Sequence, residues 1–242
     1  MSSKKKIVVW VKESYFGIWF IGTHTWVRSV LRIAINDLVK LIPYKKDQQY
    51  PVILDIGFGH GHSLWLLDEY FNPETIIGLD VDPDAKHRAK KNIGKCKCSV
   101  ELQESDAAAI DLPDVSVDMI FCHQSFHHLI NQDEAIKEFF RVLKPGGILL
   151  FSESCRRYIH SFIIKLLFRH PMDVQKSDIE YINMIVGAGF VVNRTSISRP
   201  FLWWSLPDLG LLNYYGLKGK EVEGNREETM VNLVAYKPVM VK

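Results

Sequence analysis

A glycine-rich turn directly after an apolar run is the feature that most constrains this chain. Residues 52–67 read VILDIGFGHGHSLWLL, in which the apolar run ends at Asp55. Three glycines follow at every second position: Gly57, Gly59 and Gly61. Glycine accepts the backbone angles of a tight turn, and it lets a ligand approach main-chain amides in front of a helix N-terminus. The stretch therefore predicts a ligand-binding loop between a strand and a helix.

The spacing of these glycines restricts the ligand. A P-loop needs Gly-Lys-Ser/Thr at the start of the helix, and this stretch has no such tripeptide. A dinucleotide-binding loop has the pattern G-x-G-x-x-G, and the position of its third glycine is occupied by His62. The loop therefore argues against a pyrophosphate, although the spacing alone does not name the ligand.

Short apolar segments alternate with amphipathic segments from residue 50 onward. The predicted strands are 52–57, 75–81, 99–106, 117–125, 147–154, 191–198 and 229–238. The predicted helices are 62–71, 83–94, 133–143 and 179–190, the last preceded by the capping-box pair Ser177 and Glu180. This alternation predicts an α/β fold in which helices cover both faces of a parallel sheet.

The first 49 residues are expected to form a helical cap or lid, separate from a domain at 50–242. Apolar residues recur every three or four positions from Trp26 to Ile42, which predicts an amphipathic helix ended by Pro43. This helix either packs on the domain, covers a ligand site or lies on a membrane surface. Two segments are expected to extend the domain, a helical cap insertion at about 155–176 and an aromatic connection at about 200–219.

Acidic residues stand at the ends of the next two strands, where a nucleoside ligand would need them. Asp80 ends the second predicted strand, and a carboxylate there can accept hydrogen bonds from both ribose hydroxyls. Asp106 stands at the end of the third strand, where a short acidic side chain can meet an adenine amino group. Together with the glycine loop, this order of residues favours a nucleoside-containing ligand.

Four ordered motifs between about residues 50 and 155 carry a family resemblance. They are LDIGFGHG, GLDVDPDAKHRAKKN, SDAAAIDLPDVSVDMIFCHQSFHHL and EFFRVLKPGGILLFSE. With them the chain resembles the class I S-adenosylmethionine-dependent methyltransferases, in particular the small-molecule branch (methyltransferase type 11) that includes ubiquinone and menaquinone biosynthesis enzymes. The resemblance implies a Rossmann-like seven-stranded sheet, mostly parallel, with a C-terminal antiparallel hairpin and helices on both faces. The N-terminal helical cap lies outside the resemblance.

The resemblance also implies S-adenosyl-L-methionine as cofactor and S-adenosyl-L-homocysteine as product. The loop residues would border the methionine part, Asp80 would bind the ribose hydroxyls, and His123 would lie near the sulfonium. The implied cofactor-binding residues are Asp55, Gly57, Phe58, Gly59, Gly61, Asp80, Val81, Asp106, Ala107 and His123. His60 departs from the small or hydroxyl residue common in this loop, and Gln124-Ser125 lies in a variable stretch that shapes the acceptor pocket.

Methyl transfer from a sulfonium requires positioning and exclusion of water, and a base only if the acceptor must lose a proton. The candidates for that base are His127 and His128, which follow the fourth strand at the edge where ligands bind in such sheets. The alternative is that these histidines only pack against the loop or hydrogen-bond it. His123 is a better candidate for cofactor contact than for proton transfer.

We expect no metal ion from the sequence. Cys122, His123, His127 and His128 are ligand types, but the stretch begins inside a buried strand and no set of carboxylates accompanies it. Cys96 and Cys98 have no second pair of cysteines to complete a zinc site.

The expected acceptor is a small apolar, aromatic or lipid-like molecule methylated at O or C, since large apolar residues dominate the segments outside the motifs. The alternatives are a protein or RNA acceptor and a non-catalytic cofactor-binding subunit. The 30 basic residues against 28 acidic ones make nucleic acid an unlikely partner. Peripheral membrane contact and a homodimer are open. Cysteine spacing and the lack of a secretion signal favour a cytoplasmic location.

Overall fold

The computed structural model describes residues 10–43, 48–201, 211, 215 and 227–239. In this part of the chain seven strands form one sheet. They are β1 (Val52–Ile56), β2 (Thr75–Asp80), β3 (Ser99–Glu104), β4 (Val117–His123), β5 (Leu143–Ser154), β6 (Val191–Ser198) and β7 (Met230–Tyr236). The order is β3-β2-β1-β4-β5-β7-β6. Only β7 runs antiparallel to its two neighbours, β5 and β6. The predicted fold class is confirmed.

Helices cover both faces of the sheet. They are α1 (Tyr15–Ile21), α2 (His24–Trp26), α3 (Arg32–Leu41), α4 (His62–Phe71), α5 (Ala85–Ile93), α6 (Gln132–Val142), α7 (Arg156–Ile159), α8 (Phe162–Leu167) and α9 (Asp178–Gly187). A π-helical turn over Val27–Leu31 joins α2 to α3. The predicted capping box of α9 is present, with Ser177 and Glu180 as its reciprocal partners.

Two apolar cores separate the helices from the sheet, because successive strand residues point to opposite faces. Leu54 packs with Phe139 of α6 and Tyr181 of α9 on one face. Its neighbour Ile53 packs on the other face with α3, α4 and α5, where Ile35 of α3 is fully buried. The N-terminal helix therefore shares the core of the sheet that it precedes in sequence.

The sheet places a crevice where its strand order reverses. The chain moves from β1 outward to β2 and β3 and then returns to β4 on the other side of β1. The loops after β1 and β4 therefore diverge at the carboxyl edge, which is where open α/β sheets bind ligands. The glycine turn and residues 124–129 are these two loops.

The predicted helical cap insertion at about 155–176 is not one continuous helix. It forms α7 and α8, which are separated at His160 and Ser161. In α8, Phe162 and Leu166 are 79% and 70% exposed, whereas Ile164 is buried. Of the aromatic connection, residues 202–210, 212–214 and 216–219 lie outside the described residues. No helix in the described ranges is long and apolar enough to cross a bilayer.

Candidate active site

The glycine turn after β1 adopts a conformation that its residues make possible. Gly57, Gly59 and Gly61 all have positive φ angles, of 75°, 49° and 72°. A Cβ on Gly57 would lie 2.5 Å from the Cβ of Ser125, so the turn packs closely on the loop after β4. A Cβ on Gly59 would approach nothing nearer than the carbonyl oxygen of Gly57 at 3.9 Å, and this glycine therefore borders open space.

Asp80 connects the end of β2 to this turn. Its carboxylate accepts hydrogen bonds from the amide of Gly59 at 2.8 Å and from the amide of Asp82 at 2.9 Å. Burial raises the pKa of Asp80, while these two hydrogen bonds oppose the rise. The side chain is thus fixed in orientation, and it still lines a cavity with part of its surface.

Asp55 lies at the end of β1, where it contacts the start of α4, and it does not line that cavity. It is buried and accepts a 2.5 Å hydrogen bond from the hydroxyl of Ser63 at the start of α4. Burial raises the pKa of Asp55 to about 7. Phe58 also turns inward, into the core shared with α4 and α5, and Gly61 packs against Ala89.

The first cavity lies between the glycine turn, the ends of β2 and β3, and the N-terminal segment. Its volume is about 140 Å³. Of the predicted cofactor-binding residues, Gly57, Gly59, Asp80, Val81 and Ala107 line it. Asp106 instead caps the turn around Ala107, since its carboxylate accepts a hydrogen bond from the amide of Ala108 at 2.9 Å.

The segment before α3 covers this cavity. Trp10 forms an isolated β-bridge with Leu129, and Val11, Ile18 and Ile21 line the cavity from above. His60 of the glycine turn makes a hydrogen bond of 2.8 Å through Nε2 with the carbonyl oxygen of Ile18.

A second histidine of the turn holds the same segment. His62 contacts the carbonyl oxygen of Gly22 at 3.3 Å through Nε2. Burial lowers the pKa of both His60 and His62, which keeps these rings neutral. The two histidines thus hold the segment before α3, the cover of the first cavity, in place. Neither histidine lines the cavity.

A second cavity of about 290 Å³ adjoins the first. Its walls are mostly apolar and come from α1, α2, the π-helical turn, α7 and α8. Its apolar lining residues include Phe16, Phe20, Val30, Ile163, Leu167 and Phe168. Four residues line both cavities: Glu13, Ile21, Gln124 and His128. These four mark the junction between the two spaces.

Three histidines cluster beside this junction. The ring centroids of His127 and His128 are 4.4 Å apart. The ring centroid of His170 lies 5.0 Å from that of His127 and 4.7 Å from that of His128. Nδ1 of His127 contacts Oε2 of Glu153 at 2.5 Å. Both side chains of this pair are buried, Glu153 completely. The carboxylate of Glu153 also accepts hydrogen bonds from the amides of Ser125 and Phe126.

The environment of the cluster disfavours charged imidazoles. Burial lowers the pKa of His128 well below its usual value and that of His170 to about 2. Glu13 lies 3.7 Å from Nε2 of His128, and burial raises the pKa of Glu13. His128 and His170 are therefore neutral in the physiological pH range.

His123 occupies a different environment from the one its predicted role requires. Its ring packs against Phe121 and Trp26, and it lines neither cavity. Burial lowers its pKa to about 3, and among the described residues its Nε2 has no hydrogen-bond partner. The structure thus places His123 in the packing beneath α2.

The sequence interpretation missed three residues of this site: Glu13, Glu153 and His170. Glu153 had a signal, an acidic residue inside the apolar strand GILLFSES, which needs a buried partner. His170 and Glu13 had no such sequence signal, because they reach the site from distant parts of the chain.

Comparisons with known proteins agree with this geometry. A family described as a methyltransferase domain matches residues 54–151. Residues 54–151 thus have the sequence pattern of a methyltransferase domain. Structures of S-adenosylmethionine-dependent methyltransferases from Mesorhizobium loti and Methanosarcina mazei share this fold, with TM-scores of 0.59 and 0.54 at 16% and 20% identity; the matches cover 83% and 79% of this chain and 96% and 94% of those chains.

Curated methyltransferases match part of this chain, and two of them serve as examples. Demethylmenaquinone methyltransferase of Deinococcus radiodurans is 31% identical over 122 residues, which cover 50% of this chain and 51% of that protein. Phosphoethanolamine N-methyltransferase 3 of Arabidopsis thaliana is 28% identical over 121 residues, 50% of this chain and 24% of that protein. The matched region thus spans about a quarter to a half of the length of these relatives.

A similar solved structure is the complex between the Haloferax volcanii Trm112 methyltransferase activator and its methyltransferase. Its TM-score is 0.66 at 16% identity, and the match covers 93% of this chain and 95% of that one. At this identity the similarity shows a common fold.

The residues of the first cavity fit S-adenosylmethionine. Asp80 offers a carboxylate to a ribose diol, and the open space at Gly59 allows a ligand to reach the backbone. Leu79, Val81 and Ala107 give an apolar surface that suits an adenine ring.

Proposed function

We propose that this protein transfers a methyl group from S-adenosylmethionine to an oxygen or carbon atom of a small apolar acceptor. The observation that carries the proposal is the pair of adjoining cavities. One has the polar residues of a nucleoside site, and the other is mostly apolar and larger. A methyl group leaving the first cavity at Glu13, Gln124 or His128 enters the second directly.

The protein contributes position and exclusion of water. S-adenosylmethionine supplies an electrophilic methyl group on a sulfonium. Asp80 and the glycine turn hold the nucleoside part, and the cover held by His60 and His62 keeps solvent from the reacting atoms. Apolar side chains of α1 and α8 orient the acceptor. Such positioning provides most of the rate enhancement of a displacement between two bound molecules.

The histidine cluster suits an acceptor that must lose a proton. Glu153 contacts Nδ1 of His127, which leaves Nε2 as the other ring nitrogen. His127 lines the acceptor cavity, where this nitrogen can meet a bound group. His128 lines both cavities, next to the path of the methyl group.

The comparisons support methyl transfer and leave the acceptor open, since the two relatives carry the names of an apolar quinone and a polar amine. The apolar walls of the second cavity favour the apolar class. They also disfavour RNA or a protein segment as acceptor, because such chains carry polar backbones into the cavity. A non-catalytic cofactor-binding subunit would have no use for an adjoining cavity.

A filling substitution in the second cavity tests this proposal. Ile163→Trp should abolish transfer of tritiated methyl groups to apolar acceptors, such as phenols, quinols and fatty acids, while S-adenosylmethionine still binds. Ile179→Trp places the same side chain at an exposed position on α9 and should leave transfer unchanged. Equal transfer by both variants would contradict the assignment of the second cavity.

The face around this cavity suits contact with a lipid surface. Helices α1 and α8, which line the cavity, carry Tyr15, Trp19, Phe162 and Leu166 at 64–93% exposure. Neither helix contains an acidic residue, and Lys165 lies between the two exposed residues of α8. Aromatic and basic side chains together favour the interface of an anionic bilayer. We propose that an apolar acceptor reaches the cavity from such a surface.

Vesicle sedimentation tests this contact. The protein should pellet with vesicles that contain anionic phosphatidylglycerol and less with neutral phosphatidylcholine. Trp19→Ser should reduce binding, whereas Val186→Ser, an exposed position on α9, should not. Equal recovery of all proteins in the supernatant would refute the contact.

A further inference from the structure

We propose that His127, His128 and His170 form a binding site for a divalent transition-metal cation. The site lies in the wall of the acceptor cavity, which all three residues line. Three imidazoles that leave a fourth coordination position open are a ligand set that zinc and related cations take in catalytic sites.

The geometry brings one ligand atom from each histidine to a common place. These three nitrogens lie within 4.8 Å of one another. Nitrogens that share a tetrahedral zinc ion at about 2.1 Å lie about 3.4 Å apart, so the site closes through side-chain movements of about an ångström. The half-buried rings of His128 and His170 border the cavity and have room to move.

The second observation is that a carboxylate contacts the ring of His127. Metal-bound histidines commonly donate their other ring N–H to a carboxylate, which fixes the orientation of the ring. Glu153 makes this contact with Nδ1 of His127 and is itself fixed by two backbone amides. Nε2 of His127 is then the nitrogen left for a cation.

The third observation is a second carboxylate beside the cluster. Oε2 of Glu13 lies 3.7 Å from Nε2 of His128, and the half-buried side chain of Glu13 lines the same cavity. In the described part of the chain Glu13 has no lysine or arginine side chain within ion-pair distance. A cation bound by the three histidines would supply a compensating positive charge next to this carboxylate.

The role of the cation rests on the proposed function. A hydroxyl oxygen of the acceptor would bind at the open coordination position, and its O–H bond would break as the proton passes to the carboxylate of Glu13, which lines the same cavity. The oxygen would then form a bond to the methyl carbon as the carbon–sulfur bond breaks, which leaves S-adenosylhomocysteine. The imidazoles would act as ligands, so no histidine need accept the proton.

The absence of His170 from the sequence interpretation explains why a metal was not expected. The local stretch offers Cys122 and His123, which are buried in β4 and its packing. The third histidine comes from the end of the cap insertion, 42 residues after His128. Folding of α7 and α8 over the sheet brings His170 to the pair.

Cation binding by the untagged full chain tests the proposal without any acceptor. After dialysis against a chelator, calorimetric titration with ZnCl₂ should show one equivalent bound, and Co²⁺ should give the visible absorption of a low-symmetry site. His170→Ala should weaken Zn²⁺ binding by at least about tenfold, and Glu153→Gln by about 10- to 100-fold. His87→Ala, an exposed histidine on α5, should bind like the unmodified protein.

S-adenosylmethionine binding to each variant reports whether it has folded, since the first cavity does not include His170 or Glu153. A chelated protein that binds no Zn²⁺ but still binds S-adenosylmethionine would overturn the metal site and leave the methyltransferase proposal intact. Equal Zn²⁺ affinity of His170→Ala and His87→Ala would also overturn it. Metal binding without methyl transfer would instead count against the proposed function.

Discussion

Replacement of Asp80 by alanine should weaken binding of S-adenosylmethionine more than any other single charge removal near the glycine turn. In the complex the carboxylate would accept hydrogen bonds from the ribose hydroxyls. It already accepts bonds of 2.8 and 2.9 Å from two backbone amides. Loss of such partly buried, charge-assisted hydrogen bonds costs roughly 1–3 kcal/mol, which corresponds to a roughly 5- to 150-fold higher Kd.

Isothermal titration calorimetry measures this loss. Because Asp80 would act on the ribose, S-adenosylmethionine and S-adenosylhomocysteine should lose affinity by the same factor. The matched control is Asp84→Ala, which removes a carboxylate of 67% exposure that does not line the cavity. An unchanged Kd for Asp80→Ala, or an equal loss in Asp84→Ala, would refute the ribose role.

Three further substitutions test the residues that hold the glycine turn and the N-terminal segment in place. Gly57→Ala should destabilise the protein by roughly 1–3 kcal/mol in urea unfolding, because alanine would have a positive φ and contact Ser125. A smaller loss would contradict the close packing of the two loops. Burial raises the pKa of Asp55 to about 7 in the folded state, so this group lowers stability as pH rises from about 4 to 7. Asp55→Asn should flatten the pH dependence of the free energy of unfolding, and parallel curves of stability against pH for both proteins would contradict this role of Asp55. His60→Ala should speed proteolysis between α1 and α3, since the cover loses its bond to Ile18, and unchanged cleavage would count against that contact.

Much of the fold could be predicted because its signals are local. Ile53 and Leu54 point to opposite faces of the sheet, and the apolar run that contains both already indicates a strand buried on both sides. The capping box at Ser177 is likewise a signal of four adjacent residues. The break between α7 and α8 had no such signal, because tertiary packing buries Ile164 and exposes Phe162.

The residues of the site also differ in whether local sequence signals predict them. The glycine turn and Asp80 lie at strand ends, and their sequence motifs alone indicate a nucleoside pocket. His123 shows the limit of this reasoning, since its place after the fourth strand suggested cofactor contact and its ring packs under Trp26 instead. Glu13 and His170 meet the loop after β4 only in three dimensions.

A crystal structure with bound S-adenosylmethionine tests the central claim most directly. It should show the ribose hydroxyls within hydrogen-bond distance of Asp80 and the sulfonium methyl group at the junction formed by Glu13, Ile21, Gln124 and His128. The methyl group should then face the apolar cavity between α1 and α8. A cofactor seated elsewhere, or a methyl group directed away from that cavity, would contradict the account.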